Sequence, residues 1–214
     1  MRPFKALLVV LVLGLLPSIA ALALPPPRTV LLLGDSLSSA HRIPVESGWV
    51  SRLQARLNAA SPIPPVVLNA SRAGKSMTEA LEELPGLLAR HHPDAVILEL
   101  GGNDAFLGAS EVQLRGDLSR LIDLVRDAGA RVAILGFEIP PRLDRDHCGA
   151  RLRGVYRQVA HDKEVMLLPS LMAGISDHPA LLLDDGVHPT AAAGQRMLDN
   201  AWGVLAPFLL EGDR

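Results

Sequence analysis

Five short apolar runs, at 30–33, 66–68, 95–100, 131–137 and 165–168, recur along this chain, each too brief for a helix and several closed by turn formers such as Asn69 and Gly101. The stretches between them carry apolar residues three and four positions apart. Trp49, Val50, Leu53 and Leu57 mark a helix over 46–60, and Leu81, Leu84, Leu87 and Leu88 mark one over 77–90, which Pro85 is predicted to bend or split. Further helices are predicted over 111–127, 150–160 and 191–209. Strands alternating with helices at this spacing predict an α/β fold: a five-stranded parallel sheet, covered on both faces as a three-layer α/β/α sandwich, with right-handed crossovers. In such a sheet the loops leaving the carboxyl ends of the strands share one edge, and ligands bind there.

Composition bounds the rest. With 214 residues and 49% hydrophobic, the chain supports one sizeable core, so a single domain over 24–214 is expected. The net charge is −2, aromatics make up 3%, and no basic block follows the first residues, which argues against a nucleic-acid partner. Residues 1–23 are set apart from the fold. A basic start with Arg2 and Lys5, an apolar run over 6–16 and the small residues of Ala21-Leu22-Ala23 form the layout of a secretory signal peptide, with cleavage expected after Ala23 and export to the periplasm. A retained membrane anchor is the alternative, because 6–24 carries no charge. Cys148 is the only cysteine, so an intrachain disulfide is impossible.

The first apolar run ends in Gly34-Asp35-Ser36-Leu37-Ser38, which places Ser36 at the ligand-binding edge as a candidate nucleophile. The plain alternative is that Asp35, Ser36 and Ser38 only shape a turn and cap a helix. A serine hydroxyl attacks poorly until a base takes its proton, and the base works best when a third group fixes its tautomer. Among seven histidines, His188 follows Asp185 by three positions across Gly186. That spacing lets a turn set the carboxylate against the near imidazole nitrogen and leaves the far one for Ser36, although an isolated Asp-x-x-His is commonly a surface turn. His41 lies close to the nucleophile in sequence and could line the cleft, whereas His91 and His92 read as a solvated helix end.

Acyl transfer also needs donors for the oxyanion of a tetrahedral intermediate. The backbone N–H groups of Ser36 and Gly74 and the side-chain amide of Asn103 sit in the loops after the first, second and third runs. Singly, Gly74 reads as an ordinary turn residue and Asn103 as a helix cap; together the loops supply every residue type one reaction requires. No set of histidines, cysteines and carboxylates has metal-ligand spacing, so no metal is expected.

The same blocks resemble the SGNH hydrolases, also called GDSL hydrolases. Gly34-Asp35-Ser36-Leu37-Ser38 looks like the family's first block, Gly74 matches the second, Gly101-Gly102-Asn103-Asp104 the third and Asp185-Gly186-Val187-His188-Pro189 the last, over about 29–208. Within the family the chain looks most like the exported bacterial acyl-CoA thioesterase I group, whose members also act as lysophospholipases and arylesterases. The resemblance implies a flavodoxin-like strand order of 2-1-3-4-5, a Ser36–His188–Asp185 triad, an oxyanion hole from Ser36, Gly74 and Asn103, and no cofactor. Ala40-His41, Arg72-Ala73 and Arg142-Leu143-Asp144 depart from the group's usual residues and flank the cleft, so they bear on substrate preference rather than reaction type.

The expected function is hydrolysis of fatty-acyl thioesters and carboxylic esters, including lysophospholipids and aryl esters, by a monomer that draws small-molecule substrate from solution or from membrane lipid. Two alternatives keep the chain exported: a carbohydrate or cell-wall O-acetyl esterase on the same fold, and a non-catalytic lipid-binding module. Phe106, Leu107 and Ile139 near the strand ends favour a greasy cleft over a polar one.

Overall fold

Val30, Leu31, Leu32 and Leu33 are all fully buried, which a strand achieves only when both faces of its sheet are covered. They form the centre of β1 (Thr29–Gly34) in the computed structural model of the protein, which describes residues 26–144 and 147–211. The predicted signal segment lies outside the described residues. β2 (Val66–Asn69), β3 (Ala95–Glu99), β4 (Arg131–Leu135) and β5 (Met166–Leu168) complete a parallel sheet in the order β2-β1-β3-β4-β5, as the resemblance implied. The order reverses between β1 and β3, and the loops after β1, β3 and β4 line one crevice.

Helices α1 (Trp49–Ala60) and α6 (Gly194–Leu210) pack together on one face; α2 (Met77–His91), α4 (Glu111–Asp127) and α5 (Cys148–Asp162) cover the other. Each turns an apolar stripe inward: Leu53 and Leu57 of α1, Leu84 and Leu88 of α2, and Leu118, Leu121 and Val125 of α4 are buried. Ser76 and Glu79 form a reciprocal capping box at the start of α2, and the Ser110 side chain accepts from the Gln113 N–H at the start of α4.

Several boundaries differ from the sequence reading. The first helix was expected from Glu46, but residues 45–47 form a separate 3-10 turn and Gly48 is extended, so α1 starts at Trp49. α2 is a single helix through Pro85, neither split nor ended there; the ring is exposed, and the absent N–H leaves only the Leu81 carbonyl without its helical donor. β4 stops at Leu135, two residues short; Gly136, which follows, passes so close to the segment after β5 that a Cβ there would lie 2.5 Å from the Pro169 carbonyl oxygen. The short helix α3 (Gly102–Phe106) was not foreseen, since five residues are too few for helical periodicity.

Candidate active site

β1 ends in a turn that its own residues tie. The Leu37 N–H donates to Asp35 Oδ1 at 3.0 Å, and the Ser39 N–H to the Asp35 carbonyl at 3.0 Å, which leaves the Ser36 side chain partly exposed at the crevice. On the far wall, residues 183–188 form a turn in which Gly186 adopts φ +70°, a conformation that suits glycine. The Gly186 N–H donates to the Leu183 carbonyl and the Leu183 N–H to the His188 carbonyl, and an antiparallel bridge joins Leu182 to Pro189. Asp185 and His188 thus share one tight loop just before α6.

The loop brings His188 Nε2 to 3.0 Å from Ser36 Oγ, and His188 Nδ1 to 2.9 Å from Asp185 Oδ2. The other Asp185 oxygen accepts the N–H groups of Val187 at 2.8 Å and His188 at 2.9 Å. Burial alone would raise the Asp185 carboxyl, but these two N–H groups and the imidazole outweigh it and hold the group well below the usual carboxylate range. An ionised carboxylate only accepts, so the proton sits on Nδ1 and Nε2 is left to accept from the serine hydroxyl.

The three expected oxyanion donors sit differently. Among the described residues, the N–H groups of Ser36 and Gly74 have no hydrogen-bond acceptor. Gly74 has φ +76° on the exposed loop after β2, with open space where a Cβ would be. Asn103, in α3, lines the crevice, but its amide already donates to the Lys75 carbonyl at 3.1 Å and to Asp35 Oδ2 at 3.2 Å. The crevice beside Ser36 holds about 290 Å³, with Leu37, Phe106, Phe137, Leu143 and Val187 as its apolar wall.

A family model for GDSL-like lipases and acylhydrolases matches residues 32–196, a span that includes all five expected site residues. The chain belongs to that family. It is 37% identical over 182 residues to the esterase TesA of Pseudomonas aeruginosa, covering 85% of this chain and 90% of that protein. It is 33% identical over 181 residues to thioesterase 1/protease 1/lysophospholipase L1 of Escherichia coli, covering 85% of each. A crystal structure of TesA superposes with a TM-score of 0.81 at 36% identity, over 85% of this chain and 99% of that one. The psychrotrophic esterase EstA from Pseudoalteromonas sp., in a structure inhibited by monoethylphosphonate, gives 0.78 at 30% identity over 85% and 98%.

In this GDSL-like chain several polar groups around the site went unread in the sequence. Asp35 is more than a turn former, since its second oxygen holds Asn103. Glu99 is fully buried at the end of β3, accepting from Ser38 Oγ at 2.8 Å and from the Asp35 N–H at 3.4 Å. Burial first, and the neighbouring Asp35 second, push the Glu99 carboxyl well above its usual range. A glutamate closing an otherwise apolar strand was a readable signal. Arg42 is bound to Asp184 and Asp185, and the Arg142 guanidinium donates to the Gly186 carbonyl; neither contact left a local trace. His41, expected only to line the cleft, packs its ring against His188 with centroids 4.7 Å apart.

Proposed function

We propose that this protein hydrolyses carboxylic esters and thioesters of fatty acids, lysophospholipids and aryl esters among them, through an acyl-enzyme on Ser36. The observation that carries the reading is the continuous chain Ser36 Oγ, His188 Nε2, His188 Nδ1, Asp185 Oδ2, with links of 3.0 and 2.9 Å, at the mouth of an apolar crevice. His188 Nε2 takes the Ser36 proton as Oγ bonds to the acyl carbon; the proton then passes to the departing alcohol or thiol as its bond to that carbon breaks. Water enters, gives its proton to His188 and its oxygen to the acyl carbon, and the acid leaves with Ser36 protonated again. In this reading the N–H groups of Ser36 and Gly74, neither of which has an acceptor among the described residues, receive the oxyanion, with Asn103 as third donor once its bond to Asp35 is shared.

Five apolar side chains around the serine favour an acyl chain over a sugar, which supports this reading above that of a carbohydrate O-acetyl esterase. The names of the relatives, an esterase, an arylesterase and a thioesterase/lysophospholipase, point the same way. Assay of the purified protein on a p-nitrophenyl ester series tests it. Turnover is expected to favour octanoyl over acetyl esters, and Ser36→Ala is expected to lose about six orders of magnitude in kcat. Full activity in Ser36→Ala would defeat the reading. The leader-like layout of residues 1–23 supports export, and amino-terminal sequencing of the mature protein is expected to start at Leu24.

A further inference from the structure

Arg42 stands seven residues after Asp35 on the same loop that carries the nucleophile, yet its guanidinium reaches across the crevice to the loop of Asp185. Nη2 lies 2.8 Å from Asp184 Oδ1, and Nη1 lies 3.2 Å from Asp185 Oδ2. That Asp185 oxygen is the same one that faces His188 Nδ1 at 2.9 Å. One carboxylate oxygen therefore takes both the guanidinium and the imidazole. We propose that Arg42 is a positioning residue for the Ser36–His188–Asp185 set, clamping the aspartate so that the imidazole stays directed at the nucleophile; this rests on the hydrolase reading above.

Four observations support the clamp. The loop over 183–188 contains no helix or strand, and among the described residues Arg42 is the group from outside it that binds the Asp185 carboxylate. The 40–42 turn carries backbone strain beside these contacts: Ala40 and Arg42 both have left-handed conformations, φ +57° and +59°, which are uncommon for non-glycine residues. His41, between them, lays its ring on that of His188 at 4.7 Å, so one turn grips both the base and its carboxylate. Finally, Ser36 and Arg42 belong to a single segment tied by the bonds of the Ser39 N–H to the Asp35 carbonyl and the His41 N–H to the Ser36 carbonyl. Fixing Asp185 to Arg42 thus fixes the base relative to the nucleophile itself. A planar guanidinium suits this task because it presents parallel donors to two adjacent carboxylates, whereas an ammonium offers a point charge. Arg142 donates to the Gly186 carbonyl of the same loop, a backbone group and not the Asp185 side chain.

The full-length protein is compared with Arg42→Ala, Arg42→Lys and, as a control far from the site, Arg56→Ala, which breaks the surface pair with Asp199. On p-nitrophenyl octanoate, Arg42→Ala is expected to lose about 10- to 100-fold in kcat with KM unchanged, because misorientation weakens the transition state and not ground-state binding. Arg42→Lys is expected to fall between, added guanidinium ion at millimolar concentration is expected to restore part of the Arg42→Ala rate, and Arg56→Ala is expected to match the parent. An unchanged kcat in Arg42→Ala, a rise confined to KM, or a loss that tracks a lower Tm without guanidinium rescue would overturn the clamp. An activity-independent reading is the low-field proton resonance of His188 Nδ1–H, identified by its disappearance in Asp185→Ala. It is expected to broaden in Arg42→Ala, and a resonance unaltered there would also overturn the proposal. Activity surviving in Ser36→Ala would instead defeat the hydrolase reading, and the resonance would still decide whether Arg42 holds Asp185.

Discussion

Asp35 looks like a residue that merely shapes the turn before Ser36, and it does accept the Leu37 N–H. Its burial, at 4% exposed, gives it a second character. Burial pushes the carboxyl from an ordinary 3.8 up to about 6, although the Leu37 N–H and the nearby His188 pull it down. The folded state therefore binds this proton more tightly than the unfolded state between those two values, and stability falls as pH rises through that window. Glu99 acts in the same direction at higher pH, since it too is raised by burial. Asp35→Asn is expected to flatten the pH dependence of the urea midpoint between about pH 4 and 6, because no ionisation remains at this position. A midpoint that drops as steeply in the variant would assign the dependence to another group. Ser36 stood out because it follows an apolar run that ends at a glycine, and Asp185 and His188 were readable as a pair because their spacing fits a turn. The buried partners of Asp35 were not, because Asp35 and Asn103 are 68 positions apart.

Helix α2 shows what local pattern does and does not convey. Its apolar stripe and its Ser76–Glu79 cap are short-range features, and both ends fall where they were expected to within a residue. The Glu79 carboxyl is held down to about 2, first by the Ser76 N–H and then by Arg72, as suits an acid at a helix amino terminus. Pro85 was expected to bend the helix or split it, and the split does not occur: the helix runs on through it, with Leu84 and Leu88 buried on either side. The residue is exposed, so Pro85→Ala is expected to stabilise the protein by about 2 kcal/mol, the interior cost of proline less its advantage in the unfolded chain. Calorimetry showing a lower Tm for the variant would mean that the ring supports packing after all. α3 escaped the sequence reading for the opposite reason. Its five residues are fixed by the loop after β3, where the Gly101 φ of +116° starts the turn and Tyr156 donates to the Leu100 carbonyl at 2.7 Å.

Taken whole, the molecule lines its crevice with the loops that follow β1, β3 and β4 and with the segment before α6. Ser36 and His188 are 152 positions apart and 3.0 Å from contact atom to contact atom. A covalent phosphonate on Ser36 would touch several of these loops at once, so the modified protein is expected to unfold at a higher temperature than the free one, as measured by scanning calorimetry. Equal unfolding temperatures would mean that the loops are already fixed by the rest of the fold. The five strands, most of the helices and the four chemical blocks follow from the sequence alone, because apolar periodicity, turn residues and caps act over a few neighbours and leave their mark there. Strand order was carried by resemblance to a family and not by any local pattern, as was the expected substrate class. Only the tertiary structure decided that Arg42 meets Asp185, that Glu99 lies under Ser38, and that Asn103 reaches the crevice with its amide bound to Asp35 and Lys75. These contacts join residues from different strand ends through loops without periodicity, so they exist only once the sheet has brought its carboxyl edge together.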